Sequence, residues 1–285
     1  MSTTEKVGRP AGVERLRARP TLLNHNLTST SGIGLGVSML WFSLLVLIPL
    51  SAVIATSVAG GWDEFWRTIT NEQTAAAIKL TLRSAAIVTV VNIFVGTAIA
   101  WVLVRDRFWG KGLLELVIDI PFALPTIVAG LVLLSLYGPD SPLGLHLAKT
   151  SNSVTLAFLF VTLPFIVRTV QPVLEELDED VEEAAASLGA SRFVIFRRII
   201  LPSLAPAIAA GAALSFARAV GEYGSLVLLS GNLPFVSEVT SVRILSAIEH
   251  DNNAGAASIA TLLLIISLLV ILALDLVQRR VARRG

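Results

Sequence analysis

Cysteine is absent from this chain of 285 residues, which excludes disulfides, thiolate nucleophiles and cysteine-ligated metals. Charged residues are scarce as well: they form 15% of the sequence, whereas soluble domains carry roughly 25%. Hydrophobic residues form 54%, and the mean hydropathy is +0.76. A single soluble core cannot bury so large an apolar fraction, so the composition predicts an integral membrane protein.

The residue patterns of common enzymes are missing too. The sequence has no G-x-x-x-x-G-K-[ST] phosphate-binding loop, and Gly110-Lys111-Gly112 does not form one. No Ser/His/Asp or paired-carboxylate constellation is recognisable, and His146 and His250 have no metal-binding companions. We therefore expect a non-catalytic chain with no metal or cofactor of its own and no nucleic-acid partner.

Six apolar runs are long enough to cross a hydrocarbon core of about 30 Å, which takes roughly 20 helical residues. Each run is predicted to be helical, because backbone polar groups in lipid must be paired internally. Pro121 and Pro125 lie early in the third run and predict a kink or partial unwinding there. The predicted spans are Ile33–Thr56, Leu82–Val104, Leu113–Tyr137, Val154–Val170, Ala207–Leu229 and Ala256–Val277.

Lysine and arginine residues are concentrated in alternate segments between the spans, and this asymmetry predicts the orientation. The rich segments are the leader, the loop after the second span, the loop after the fourth span and the tail. We therefore predict that both termini are cytoplasmic, as six spans require. The predicted organisation is a disordered basic segment 1–28, a six-span domain 29–278 and a basic cytoplasmic tail 279–285.

The predicted cytoplasmic loop at about 172–202 has an ordered internal pattern. Acidic residues between Glu175 and Asp180 favour a helix start through the macrodipole, and Gly189 predicts the end of that helix. Ser191 can cap a second helix, which Pro202 is predicted to stop before the fifth span. The apolar faces of the two helices are predicted to be Val181, Ala184, Ala185 and Leu188 on the first, and Phe193, Phe196, Ile199 and Ile200 on the second.

Within this loop the spacing EAA-x3-G-x9-I-x-L-P resembles the coupling loop of bacterial ABC importer permeases, on which the ATPase subunit docks. Further stretches are similar to the T subunit of the sulfate/thiosulfate ABC importers, and the likeness runs from about Asn24 to Val281. Tyr223 departs from this pattern, since phenylalanine is expected there, and the leader 1–23 lies outside it. The similar stretches are Asp119–Leu131, Leu163–Leu177, Glu182–Ala190, Ala213–Gly224 and Gly231-Asn232.

The resemblance implies a type I ABC importer permease fold of six transmembrane helices in the bacterial cytoplasmic membrane. It also implies inward passage of sulfate, and of thiosulfate, by alternating access. The implied partners are ATPase subunits that bind ATP and Mg, a second permease of the W type and an extracytoplasmic sulfate-binding protein. Its coupling residues fall on Glu182, Glu183, Ala184, Ala185, Gly189, Ile199, Leu201 and Pro202.

Two alternatives stand beside the coupling assignment. Glu183 could be a helix-capping partner of Asp180 in an Asp-x-x-Glu arrangement instead of an ATPase contact. The whole loop could be an amphipathic helix lying on the membrane.

Charged residues inside the predicted spans are costly and usually face protein or water. Arg218 and Glu222 are four residues apart, so we expect them to pair on one helical face. Either the pair orders the fifth span, or Arg218 offers positive potential to a passing dianion. Arg168 is expected to snorkel to the cytoplasmic end. The candidate pathway residues are Pro121, Pro125, Arg218, Glu222 and Tyr223.

Two rival functions remain open from the sequence. A molybdate or tungstate permease would have similar spans, because the binding protein selects among tetrahedral dianions in such importers. An ion-gradient-driven secondary transporter would need intramembrane carboxylates, and Glu222 is nearly the only deep candidate.

Overall fold

The computed structural model describes residues 29–282, and all secondary structure in that range is helical, as predicted. The segment 1–28 and the last three residues of the predicted tail lie outside this range, so the domain boundary at residue 28 stays a prediction. The helices are α1 (Ser29–Phe42), α2 (Ile48–Ala59), α3 (Trp62–Thr70), α4 (Glu72–Arg105), α5 (Lys111–Ala123), α6 (Thr126–Tyr137), α7 (Ser151–Glu175), α8 (Glu179–Ser187), α9 (Arg192–Ile195), α10 (Leu201–Val220), α11 (Gly224–Leu229), α12 (Thr240–Glu249) and α13 (Asn253–Ala282), with π-helical turns at Ser43–Leu47 and Phe196–Ile200.

Five helical segments within the described residues are long and apolar enough to cross a membrane. A sixth crossing requires α5 and α6 to act together, and this pair is bent by 116°. The prediction of six spans therefore holds only if the bent pair crosses as one broken span. The five segments are Ser31–Ala59, Glu72–Arg105, Ser151–Glu175, Arg192–Val220 and Asn253–Arg280.

The break in the third span lies at Leu124 and Pro125. Leu124 has φ −84° and ψ 136°, and Pro125 is the N-cap of α6. A residue that precedes proline is driven out of the helical region, which ends α5 at Ala123. The predicted break is thus confirmed at Pro125, whereas Pro121 is accommodated inside α5.

Each of the two π-helical turns ends directly before an X-Pro step. Ile48 N–H bonds to Ser43 O ahead of Pro49, and Leu201 N–H bonds to Phe196 O ahead of Pro202. Proline cannot donate a helical hydrogen bond, and its ring crowds the carbonyl four residues back. The wider π turn relieves this crowding, so both helices continue. The prediction that Pro202 stops the second loop helix is therefore wrong.

The chain divides into two units after Pro49. In the described part of the first, the apolar side chains of α1 are exposed, as lipid-facing side chains would be; Trp41 is 60% exposed. The second unit has a core in which α4, α7 and α10 pack against one another. Gly96 of α4 allows close approach to α7, since a Cβ there would lie 2.7 Å from Ile166 Cβ.

Two helices extend beyond the predicted spans. The second span begins at Glu72 instead of Leu82, since Asn71 Oδ1 accepts from Gln73 N at 3.0 Å and from Thr74 N at 3.4 Å. The last helix runs on to Ala282 and takes up the start of the predicted tail. Two segments predicted as loops contain the helices α3 and α12.

Candidate coupling surface and translocation pathway

Two short helical elements meet at Gly189, as predicted for the loop. The Asp178 side chain caps α8 by accepting from Asp180 N at 3.0 Å. Gly189 has φ +86°, a conformation that glycine adopts without steric cost. Ser191 then caps α9 by accepting from Val194 N at 3.4 Å. Because Asp178 is the cap, the interpretation of Glu183 as a capping partner of Asp180 is wrong.

The two faces of α8 have different surroundings. Val181 is 50% exposed, Leu188 is 90% exposed, and Ala184 between them is exposed as well, so an apolar stripe faces away from the protein. Glu183 is also exposed. The adjacent face carries Glu182 and Ala185, which are half-buried. Glu182 pairs with Arg105, and Ala185 packs against the buried cluster of α4, α7 and α10.

The second arm of the loop is continuous with the fifth span, from Arg192 to Val220. Its buried residues are Ile195, Ile200 and Leu204, whereas Phe193, predicted on the apolar face, is 69% exposed. The five-residue step from Ile195 to Ile200 follows the π turn between them. The predicted face at α-helical spacing is therefore wrong in register. Among the predicted coupling residues of this arm, Ile199 is half-buried and Leu201 and Pro202 are exposed.

Two of the predicted pathway residues lie at a pair of adjacent helix starts. Pro125 precedes α6 and Tyr223 precedes α11. A Cβ at Gly130 would lie 2.5 Å from Ser225 O, and a Cβ at Gly224 would overlap Thr126 Oγ1, so α6 and α11 touch backbone to backbone. Discontinuous helices that meet inside a membrane protein are typical of substrate sites. Pro121 lies before the break, on α5.

The Arg218–Glu222 ion pair is present, with Nη1 and Oε2 2.7 Å apart. The two residues do not share a helix, because Gly221 ends α10, so the predicted fifth span ends at Val220 instead of Leu229. Glu222 is 1% exposed, and its Oε1 accepts from both Ser225 N and Ser225 Oγ at 2.9 Å. Its carboxylate therefore caps the start of α11. The Arg218 side chain keeps 32% of its surface exposed.

Sequence reasoning missed a second intramembrane pair. Arg168 of α7 donates from Nε to Asp119 Oδ1 of α5 at 2.8 Å and from Nη2 to Asp119 Oδ2, while Nη1 donates to Gln171 Oε1 at 3.0 Å. That Arg168 snorkels to the cytoplasmic end stays a prediction, but its guanidinium has a carboxylate partner within the protein, which the sequence analysis did not foresee. Asking which carboxylate could neutralise Arg168 would have found Asp119, because it is the deepest acidic residue of the third run.

Comparisons with known proteins agree with this architecture. Residues 92–284 match the family described as "Binding-protein-dependent transport system inner membrane component". The sulfate transport system permease protein CysT of Escherichia coli (strain K12) is 43% identical over 259 residues, which cover 88% of this chain and 94% of that protein. CysT of Synechocystis sp. is 41% identical over 250 residues, covering 85% and 87%.

Solved structures show the same fold. A chain of a bacterial ABC transporter involved in the import of alginate has a TM-score of 0.73 at 16% identity, with 87% of this chain and 94% of that chain covered. A chain of the methionine ABC transporter MetNI has a TM-score of 0.56 at 18% identity, with 72% and 94% covered. The predicted type I importer permease fold and the resemblance stated from the sequence are confirmed. The chain belongs to the family of binding-protein-dependent inner-membrane transport components, among the relatives of the sulfate permease CysT.

Proposed function

We propose that this chain is the non-catalytic membrane subunit of an importer that carries sulfate inward across the bacterial cytoplasmic membrane by alternating access. ATP and Mg act on separate ATPase subunits that dock on the loop between α7 and α10. A W-type permease and an extracytoplasmic sulfate-binding protein complete the assembly. The observation that carries the proposal is the exposed apolar stripe of α8.

A partner protein is the best occupant for this stripe. Leu188 and Phe193 are both large, apolar and more than two-thirds exposed, and they lie on a loop bracketed by two rigid spans. Exposed apolar patches of this kind mark protein contacts. A membrane-surface helix would instead favour lysine and arginine on its polar face, whereas α8 carries Asp180, Glu182 and Glu183.

Sulfate is the proposed substrate because the relatives with high identity and coverage are named for sulfate transport. Their names do not favour molybdate or tungstate. Thiosulfate stays an expectation from the family resemblance. Arg218 keeps part of its surface exposed beside the paired helix starts, so it could attract a dianion without trapping it, since Glu222 neutralises its charge.

Uptake of radiolabelled sulfate by proteoliposomes tests this proposal, with the chain, its neighbouring permease, the ATPase and the binding protein present. We expect uptake to require ATP inside, and Leu188→Asp to abolish ATPase binding and uptake while insertion is unchanged. Leu143→Asp is the matched control, since Leu143 is 56% exposed in a predicted outer loop. Uptake driven by an imposed ion gradient without ATP would instead support a secondary transporter.

Single-cysteine variants test the orientation, because the chain has no native cysteine. Asp140→Cys in a predicted outer loop should react with an impermeant thiol reagent in intact cells. Ser187→Cys at the end of α8 should react only after the membrane is opened. Both positions are exposed on this chain, so when the permease is expressed without its ATPase a difference in labelling reports sidedness. Labelling of Ser187→Cys in intact cells would invert the proposed topology.

A further inference from the structure

We infer that Arg105, Trp101, Glu182 and Phe196 form a clamp that carries motion of the coupling loop into α4. The clamp rests on the proposed function, because it gives this loop a third helix to move. Arg105 and Glu182 are its positioning residues: they act through the helices that they join and touch neither substrate nor nucleotide.

The first half of the clamp is an ion pair between α4 and α8. Arg105 is the last residue of α4, and its Nη2 donates to Glu182 Oε1. The two side chains are 17% and 24% exposed, so water screens the pair only in part. Each charge also lies at the helix end that favours it: the arginine at a C-terminus and the glutamate near an N-terminus. The pair is therefore well placed to persist while the loop moves.

The second half of the clamp is aromatic and reaches the other arm of the loop. The guanidinium carbon of Arg105 lies 5.7 Å from the centre of the Trp101 ring, a cation–π distance. The Trp101 ring meets the Phe196 ring edge to face, with centroids 5.8 Å apart and planes at 74°. Phe196 opens the π turn that leads into α10. One end of α4 thus holds both arms of the loop.

Chain connectivity explains why such a clamp matters. The loop is joined covalently to α7, which ends at Glu175, and to α10, which continues from Arg192. The loop reaches α4 by noncovalent contacts: Ile195 and Ile200 of the second arm share a buried cluster with Leu103 of α4, whereas α8 reaches α4 through the Arg105–Glu182 pair and the packing of Ala185. When the clamp holds, a displacement of α8 moves α4, α7 and α10 together. When it is broken, α8 acts on α4 indirectly, through the packing of α4 against α7 and α10.

If the clamp only stabilised the fold, breaking it would lower the abundance of the permease but would not change the amount of sulfate imported per ATP. The test therefore measures sulfate imported per ATP hydrolysed in proteoliposomes, with ATPase binding and thermal stability measured on the same samples. Glu182→Gln and Arg105→Gln should each lower the ratio at least about fivefold, because each removes the attraction between opposite charges that joins α4 to α8 at a partly buried site. Binding of the ATPase should be retained. Asp180→Asn, exposed on the same helix, is the matched control.

A covalent crosslink between α4 and α8 should restore coupling when the ion pair is absent. Because the chain has no other cysteine, Arg105→Cys with Glu182→Cys can be joined by a short bis-maleimide. We expect the double variant to import little sulfate per ATP before crosslinking, and at least half as much per ATP as the parental chain after it. A parental ratio in both single variants, or no recovery after crosslinking, would overturn the clamp. Loss of ATPase binding in Glu182→Gln would also overturn it, in favour of direct docking. An ATPase that never binds the parental chain would instead contradict the proposed function.

Discussion

The helix that begins at Arg192 is disturbed at two places, and the two disturbances have opposite effects on it. Near the loop, the π turn Phe196–Ile200 lets the helix continue past Pro202, so the loop arm and the fifth span form one continuous helical segment. At the other end, Gly221 stops the helix, and α11 starts afresh against α6. A continuous helix transmits displacement, whereas a broken helix exposes backbone polar groups and allows a hinge. On the proposed function, displacement would enter this helix at the loop, and the break at Gly221 is where a hinge could lie.

The contact between the two broken helices is the most sensitive part of this arrangement. Gly130→Val should destabilise the protein by about 3 kcal/mol or more, because the new side chain meets the Ser225 backbone, which cannot move aside. We expect near-complete loss of membrane abundance by immunoblot. Gly112→Val is the control, since nothing lies within 4 Å of a Cβ at Gly112. Normal abundance of Gly130→Val would mean that α6 and α11 do not touch.

The Arg218–Glu222 ion pair lies beside this contact. Substitutions in the pair distinguish a structural role from guidance of the substrate. Arg218→Met alone should cost about 3 kcal/mol, because Glu222 is left charged and buried. The double variant Arg218→Met with Glu222→Gln removes both charges. The glutamine keeps a side-chain oxygen that can accept the hydrogen bonds from Ser225. We expect the double variant to recover both abundance and sulfate uptake.

The matched measurement is uptake at saturating binding protein, normalised to permease abundance. Recovery of abundance with uptake still low would show that Arg218 serves the anion directly and would contradict the structural interpretation.

The Arg168–Asp119 pair ties α5, the half of the third span that precedes the break, to α7. Arg168→Lys should lower the thermal midpoint in detergent by about 2–4 °C, since an ammonium group cannot reproduce the two-pronged contact and water already reaches the pair. Lys149→Arg is the control for a basic exchange away from this pair. An unchanged midpoint would show that Phe122 and Phe165, whose rings are 5.0 Å apart, hold α5 by themselves.

The smallest expected effect is at the π turn. Pro202→Ala restores a backbone donor, so the turn can relax to α-helical spacing and rotate the loop arm against its buried Ile195 and Ile200. We expect stability to change by less than about 1 kcal/mol and uptake to fall about twofold. Pro49→Ala removes the equivalent proline from the first span and should leave uptake unchanged. Equal effects of the two substitutions would argue against a lever in the fifth span.

The coupling loop was predictable because its signals are local, whereas the features of the pathway were much less predictable. Gly189, Ser191 and the acidic run before them act over a few residues, so their spacing predicts two helices that meet at a glycine. The register of the second helix was missed because a π turn leaves no mark in apolar periodicity except a nearby proline. Six spans followed from hydropathy alone.

The breaks and the ion pairs depend on contacts that composition does not record. Gly221 lies in an apolar run, so the sequence gives no sign that the helix ends there and that the Glu222 carboxylate returns to cap Ser225. Arg168 and Asp119 are 49 residues apart, so only the packing of α5 on α7 brings them together. The roles of the predicted coupling and pathway residues remain predictions.

The length of α4 gives the molecule a mechanical advantage. Its 34 residues make a rod about 51 Å long, longer than the hydrocarbon core is thick. Its loop end is gripped at Arg105, and at the far end Gln73 donates to the buried Glu238 at 2.7 Å. A tilt of about 5° about Arg105 would carry the far end through about 4 Å, more than the length of that hydrogen bond. On the proposed function, a small rotation of α4 at its loop end would therefore be enough to part this contact at the far end of the helix.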